Sequence, residues 1–270
     1  MSMGGQPGDS LAVGSTGLAV RLSGVTKRFG LKVALDSVSL AVEAGSAFGL
    51  IGPNGAGKTS LLNSITGYYH PQTGQILFSG QEITGLPPHA IVKKGVGRTF
   101  QNIELFPGMT VLANMLLARH IHSGYGLGPA VVFSRSVRKE EVHHRRVLEE
   151  LIDFLEMQPI RKKPVGGLPY GLRKRVELAR ALALEPRLLL LDEPFAGMTL
   201  EEKEDMVRFL IELNEAWGQT MILVEHDMSI VMSISHRITV LDFGLKIAEG
   251  SPEAIRNHPQ VIKAYLGEAA

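Results

Sequence analysis

The chain has no cysteine, one tryptophan among 270 residues, no excess of either charge and apolar runs no longer than a strand. Each absence removes a class of function. Without thiols there are no disulfides, thiolate metal sites or cysteine nucleophiles, and the composition suits a reducing compartment. The 28 Lys and Arg against 27 Asp and Glu leave a net charge of +1, so no global field favours nucleic acid, and none is expected as a partner. The apolar runs at 188–191 and 221–224 fall short of the roughly 18 residues that a membrane helix requires. Residues 1–17 are rich in Gly and Ser and lack the basic start and apolar centre of a signal peptide. They read as a disordered tail ahead of a single domain over 18–267.

What is present sorts by period. Short alternating runs over 18–45 and again over 75–84 predict an antiparallel sheet near the start. Segments 47–52, 188–192, 221–227 and 238–242 are apolar nearly throughout and bounded by Gly or Asp, which predicts strands buried on both faces of a parallel sheet. Leu148, Leu151, Ile152 and Leu155 follow the i, i+3, i+4, i+7 template and predict a helix over 139–157. Another helix is predicted from Thr199, where the hydroxyl and Glu202 form a capping box and Glu201, Glu204 and Asp205 complement the N-terminus. Residues 102–180 carry no buried strand. They read as a helical subdomain with a Gly-rich hinge over 122–129, set between core segments 18–101 and 181–267. His120, His122, His143 and His144 lack acidic neighbours at metal-ligand spacing and read as a solvated face.

Gly52-Pro53-Asn54-Gly55-Ala56-Gly57-Lys58-Thr59 fits G-x-x-x-x-G-K-[ST], directly after a predicted strand and before a helical stretch that opens at Ser60. Glycines let successive backbone N–H groups turn toward phosphate oxygens, and the helix N-terminus adds its positive dipole end. Lys58 then reaches the β and γ phosphates, and Thr59 offers a hydroxyl to Mg²⁺. The second element is the strand at 188–191 followed by Asp192 and Glu193, acids at the strand edge where α/β sheets place ligands. Asp192 suits Mg²⁺, and Glu193 suits a general base acting on water.

Between these elements stands Gly166-Gly167-Leu168-Pro169-Tyr170-Gly171-Leu172-Arg173-Lys174-Arg175-Val176-Glu177-Leu178-Ala179-Arg180-Ala181-Leu182, which resembles the signature segment of the ABC (ATP-binding cassette) ATPases. Gln101 after Arg98-Thr99-Phe100 resembles their Q-loop, Ala196-Gly197-Met198-Thr199 their D-loop and His226 their switch histidine. Segments 97–107 and 257–267 are similar to the ATP-binding subunit of branched-chain amino acid importers. A lipopolysaccharide-export cassette or a soluble non-transport ABC ATPase is the alternative.

The resemblance implies an α/β fold with a P-loop NTPase (RecA-like) parallel core, an N-terminal antiparallel β subdomain and a helical insertion. It implies an ATPase that binds ATP and Mg²⁺ and pairs head to tail with a second cassette. Leu168, Pro169, Tyr170, Gly171 and Leu172 would then meet the partner's ATP. Phe29 would stack on adenine, Gln101 would coordinate Mg²⁺ or position water, and His226 would hold the water and Glu193 in register. Implied partners are two membrane permease subunits, the second ATPase subunit and, indirectly, an extracytoplasmic substrate-binding protein, with the chain peripheral on the cytoplasmic face of the inner membrane. Two departures stand out: Phe29 replaces the usual Tyr, and Leu-Pro-Tyr-Gly-Leu replaces Leu-Ser-Gly-Gly-Gln, deleting the serine hydroxyl aimed at the γ-phosphate. A helix starting near Leu172 and the backbone at Gly171 are expected to carry that contact instead.

Overall fold

The computed structural model describes residues 17–100, 103–119 and 135–266, the side chains of 135–141 and 266 excepted. The first third supplies β1 (Leu18–Phe29), β2 (Lys32–Glu43), β3 (Ala47–Ile51), α1 (Lys58–Ile65), β4 (Thr73–Phe78), β5 (Gln81–Glu82), α2 (Pro88–Lys93) and β6 (Val96–Arg98). Next come α3 (Val111–Arg119), α4 (Arg135–Phe154), α5 (Tyr170–Leu182), β7 (Leu188–Asp192) and α6 (Leu200–Glu215). The remainder holds β8 (Thr220–Val224), α7 (Met228–Ile234), β9 (Arg237–Asp242), β10 (Leu245–Gly250), α8 (Pro252–Arg256) and α9 (Pro259–Leu266). The chain divides into two compact units, one of residues 1–96, 187–193 and 210–270, the other of 97–186 and 194–209.

In the first unit, β1 pairs antiparallel with β2 and β4, giving a sheet in the order β2-β1-β4-β5. The second sheet runs β10-β9-β3-β8-β7-β6, with β9, β3, β8 and β7 mutually parallel. Every residue of β3, β7 and β8 is buried, which is why these strands read as continuous apolar runs. Alternate residues of β3 serve different cores: Phe48 and Leu50 pack with Leu61, Leu62 and Phe78, whereas Ile51 packs with Val231, Val240 and Ile255. The edge strands β6 and β10 carry too little apolar pattern to be read from sequence. The helix after the Gly-rich loop begins at Lys58, two residues earlier than expected.

In the second unit, Phe154 and Phe209 meet with ring centroids 5.6 Å apart, and the Arg175 guanidinium lies 4.9 Å from the Phe209 ring while bonding Asp205 at 2.9 Å. The helix expected over 139–157 spans 135–154. α5 starts at Tyr170 rather than near Leu172, with Pro169 as its N-cap. The solvated reading fails for His144. It is buried, its Nδ1 accepting from Nε of a buried Arg119 at 3.0 Å, and the same guanidinium pairs with Glu185 and the Ala183 carbonyl. A buried guanidinium needs such acceptors, and an imidazole nitrogen supplies one that sequence pattern does not reveal. His120, His122 and the 122–129 hinge lie outside the described residues.

The loop before α3 is organised by one buried side chain. Asn114 accepts the Phe106 N–H on Oδ1 at 2.9 Å, and its Nδ2 donates to the carbonyls of Phe106 and Thr110, both at 3.1 Å. Asn114→Ala removes these bonds and strands backbone groups, so the urea midpoint should fall by the equivalent of about 2–3 kcal/mol.

Candidate nucleotide site

The loop from Gly52 to Gly57 leaves the C-terminal end of β3 and turns into α1 through three glycines in the left-handed half of backbone space, Gly52 at φ 147°, Gly55 at 77° and Gly57 at 106°. At Gly52 and Gly57 space is decisive as well as torsion. A Cβ on Gly57 would strike the Ala34 carbonyl oxygen, and one on Gly52 the carbonyl oxygen of Leu241. Pro53 and Ala56 are buried beneath the loop, while Asn54, Gly55 and Thr59 face solvent and Ser60 is half-buried. The first helical bond of α1 runs from the Leu61 N–H to the Gly57 carbonyl, so the N–H groups of Lys58, Thr59 and Ser60 precede the first intrahelical acceptor. No side chain caps this end. Lys58 is buried and folds back over the loop, donating from Nζ to the Gly52 carbonyl at 2.5 Å and the Pro53 carbonyl at 2.9 Å. Backbone donors, a helix terminus and an ammonium thus share one short loop, a combination suited to a polyphosphate.

Two carboxylates and an imidazole leave the neighbouring strands. Leu50 on β3 pairs with Val224 on β8, and Val224 pairs with Asp192 on β7, so the three strands end along one row of the sheet. Asp192 is 2% exposed. The next residue, Glu193, takes φ +50°, a left-handed conformation that costs a non-glycine residue about 1 kcal/mol. Its N–H donates to the Val224 carbonyl at 2.9 Å, and its side chain turns to His226, whose Nε2 lies 2.6 Å from Oε1. His226 sits two residues beyond β8. Its own N–H donates to Oε2 of buried Glu225 at 3.0 Å, and Asp227 caps α7 by accepting the Ser229 N–H.

Phe29 closes β1 and is 44% exposed, which sets aside a core role. Its ring meets Tyr69 edge to face, centroids 5.0 Å apart, with Nζ of Lys27 5.0 Å from the Phe29 centroid and held by the His70 carbonyl. Sequence reasoning missed Tyr69, since only the folded chain brings residues 29 and 69 together. In the other unit, Leu168 and Gly171 are buried, Pro169 and Tyr170 are exposed and Leu172 is half-buried. Gln101 lies outside the described residues. Just before it, the Phe100 N–H donates to Oε1 of Glu177, a buried carboxylate 3.4 Å from Lys174 Nζ. Burial pushes the Glu177 carboxyl above its ordinary value, and the Lys174 ammonium offsets this only in part.

Replacing Gly57 by Ala combines torsional strain with the collision at Ala34 and should destabilise the chain by about 2 kcal/mol, seen as a lowered melting temperature. Gly55→Ala, with open space around it, should lose only about 1 kcal/mol.

The family described as ABC transporter matches residues 35–196, and the one described as branched-chain amino acid ATP-binding cassette transporter matches 246–270. The high-affinity branched-chain amino acid transport ATP-binding protein BraF of Pseudomonas aeruginosa is 44% identical over 254 residues, spanning 93% of this chain and 98% of that protein. LivG of Escherichia coli, described in the same words, is 41% identical, with 92% and 97% covered. Among solved structures, the ADP conformation of an ATP-binding cassette of an ABC transporter superposes with a TM-score of 0.80 at 32% identity, covering 93% of this chain and 100% of that one. Sequence and fold agree over nearly the whole length, and the chain belongs to the ABC transporter family as one of its ATP-hydrolysing ATP-binding cassettes.

Proposed function

We propose that this cassette drives uptake of branched-chain or other hydrophobic amino acids through membrane permeases. The chemistry rests on one observation: Glu193, held in a strained backbone at the end of β7, meets His226 at the end of the adjacent β8, on the sheet edge where the Gly-rich loop leaves β3. The loop N–H groups and Lys58 bind the phosphates, and Phe29 offers its π face to adenine with Tyr69 behind it. Exposed Thr59 and buried Asp192 present a hydroxyl and a carboxylate, hard oxygen donors that fit Mg²⁺, with Gln101 joining them on the sequence reading. Mg²⁺, when bound, neutralises charge on the β- and γ-phosphate oxygens. Glu193 takes a proton from water as the water oxygen attacks the γ-phosphorus and the bond to the bridging oxygen breaks, giving ADP and phosphate. His226 keeps Glu193 and the water aligned.

Coupling to transport follows from the partners proposed: two permease subunits, a second cassette whose 168–172 segment completes each ATP site, and an extracytoplasmic binding protein that delivers the substrate. Among the described residues no helix is long and apolar enough to cross a membrane, which fits peripheral attachment at the cytoplasmic face. Phe106 and Met109 are exposed on the loop that Asn114 braces, and they supply an apolar contact for a permease. BraF and LivG support the amino acid assignment over an exporter.

Glu193→Gln should retain ATP binding and lose about 10²-fold or more in turnover, measured as phosphate release. Near-normal hydrolysis by that variant removes Glu193 from the role of base. Purified from detergent-solubilised native membranes, the tagged chain should bring two hydrophobic permease chains with it; recovery with ribosomes or alone defeats the transport assignment.

A further inference from the structure

Two glycines of the second unit give up the space of their own Cβ atoms to side chains from elsewhere in that unit. At Gly171, in the first turn of α5, an added Cβ would stand 2.6 Å from Oε2 of Glu202 and closer still to its Oε1 and Cδ. At Gly197, φ +76°, it would stand 2.9 Å from Cε1 of Tyr170. The contacts interlock. The start of α5 sends Tyr170 onto the loop that begins right after Glu193, and the α6 that follows this loop sends Glu202 back onto α5. Neither side chain is loose: Glu202 Oε2 accepts the Thr199 N–H at 2.9 Å, its own N–H reaches Thr199 Oγ1 at 3.3 Å, and the Arg173 guanidinium lies 5.6 Å from the Tyr170 ring.

We propose that Tyr170, Gly171, Gly197 and Glu202 form an intrachain latch that fixes the 168–172 segment against the 194–199 loop, with Glu202 as a positioning residue for the surface offered to the second cassette. The proposal rests on the reading of 168–172 as the segment that meets the partner's ATP. The physical need is plain. Pro169 caps α5 with no side-chain hydrogen bond, and the segment has no serine hydroxyl to adjust a misplaced phosphate contact, its one hydroxyl being carried on the Tyr170 ring that packs against Gly197, so its backbone donors work only if the start of the helix is held still. The capping box of α6 does this by letting one carboxylate serve two elements, closing its own helix through Thr199 and backing the Cα of Gly171.

The test compares ATP turnover and melting temperature of the full chain as G171A, E202A, E202Q and the double variant G171A/E202A. G171A should lose about tenfold in turnover, and removing the carboxylate in the double variant should recover several-fold of it, since residues in contact couple. E202A alone should raise the protein concentration at half-maximal turnover several-fold. E202Q, which fills the same space and still accepts from Thr199, should stay near the parent. Recovery of melting temperature without recovery of turnover in the double variant shows a structural contact only and overturns the positioning role. No recovery of either leaves Gly171 answering to the nucleotide alone, which defeats the latch and keeps the reading of 168–172. Full turnover by G171A defeats both. Should G171A not fold, E202A turning over at the parent's concentration is sufficient to overturn the latch.

Discussion

One row of backbone pairing governs the site. Leu50, Val224 and Asp192 lie side by side on β3, β8 and β7; Asp192, Glu193 and His226 stand at or within two residues of that row, and the Gly-rich loop that ends at Lys58 starts two residues beyond Leu50. Because side chains alternate with period two, a one-residue slip of β7 would turn Asp192 to the opposite face, and a slip of β3 or β8 would carry its exit out of line with Asp192. The strands resist slipping because all their residues are buried, and each Leu, Ile or Val so enclosed contributes about 1.5–3 kcal/mol. A sheet apolar on both faces is therefore the ruler against which the polar exits are set.

At the exits the chain leaves the comfortable regions of backbone space. Gly52, Gly55 and Gly57 let the loop turn sharply between β3 and α1, and Glu193 accepts a left-handed backbone without being glycine. That conformation is sustained by β-ladder bonding on one side, through the Val224 carbonyl, and by the side-chain bond to His226 on the other. The cost, about 1 kcal/mol, is small beside the burial of β7, and it buries most of the carboxylate while leaving it able to reach the histidine. Local strain at Glu193 and global burial of the strand before it are two parts of one arrangement.

Legibility in the sequence followed the range of the interaction. The buried strands, the Gly-rich loop and the Thr199–Glu202 capping box were readable because each is a local pattern of period, torsion or three-residue spacing, and the capping box is present with both its bonds. The edge strands β6 and β10 were not, since β6 is only three residues long and β10 is largely exposed, and neither carries a continuous apolar run. Nor was the burial of His144, the pairing of Phe29 with Tyr69 or the seat of Glu202 on Gly171, because each depends on residues 25 or more positions apart that only packing brings together. Glu202 shows the limit well. Its local role could be read from spacing, while its second contact had no sequence signal beyond the glycine it requires.

The structure starts α5 at Tyr170, and the first intrahelical bond runs from the Arg173 N–H to the Pro169 carbonyl at 3.1 Å. The N–H groups of Tyr170, Gly171 and Leu172 therefore precede any acceptor in their own helix and lie at its positive end. A serine hydroxyl bonded to a phosphate is worth about 1.5–3 kcal/mol, and a helix terminus beside an anion about 0.3–2 kcal/mol before the N–H bonds themselves are counted. On the proposed reading, the backbone thus offsets much of the missing hydroxyl. A hydroxyl rotates to find its acceptor and a backbone N–H does not, so the substitution moves the demand for accuracy from one side chain to the placement of the whole helix start. In the proposed latch, Tyr170 against Gly197 and Glu202 against Gly171 meet that demand.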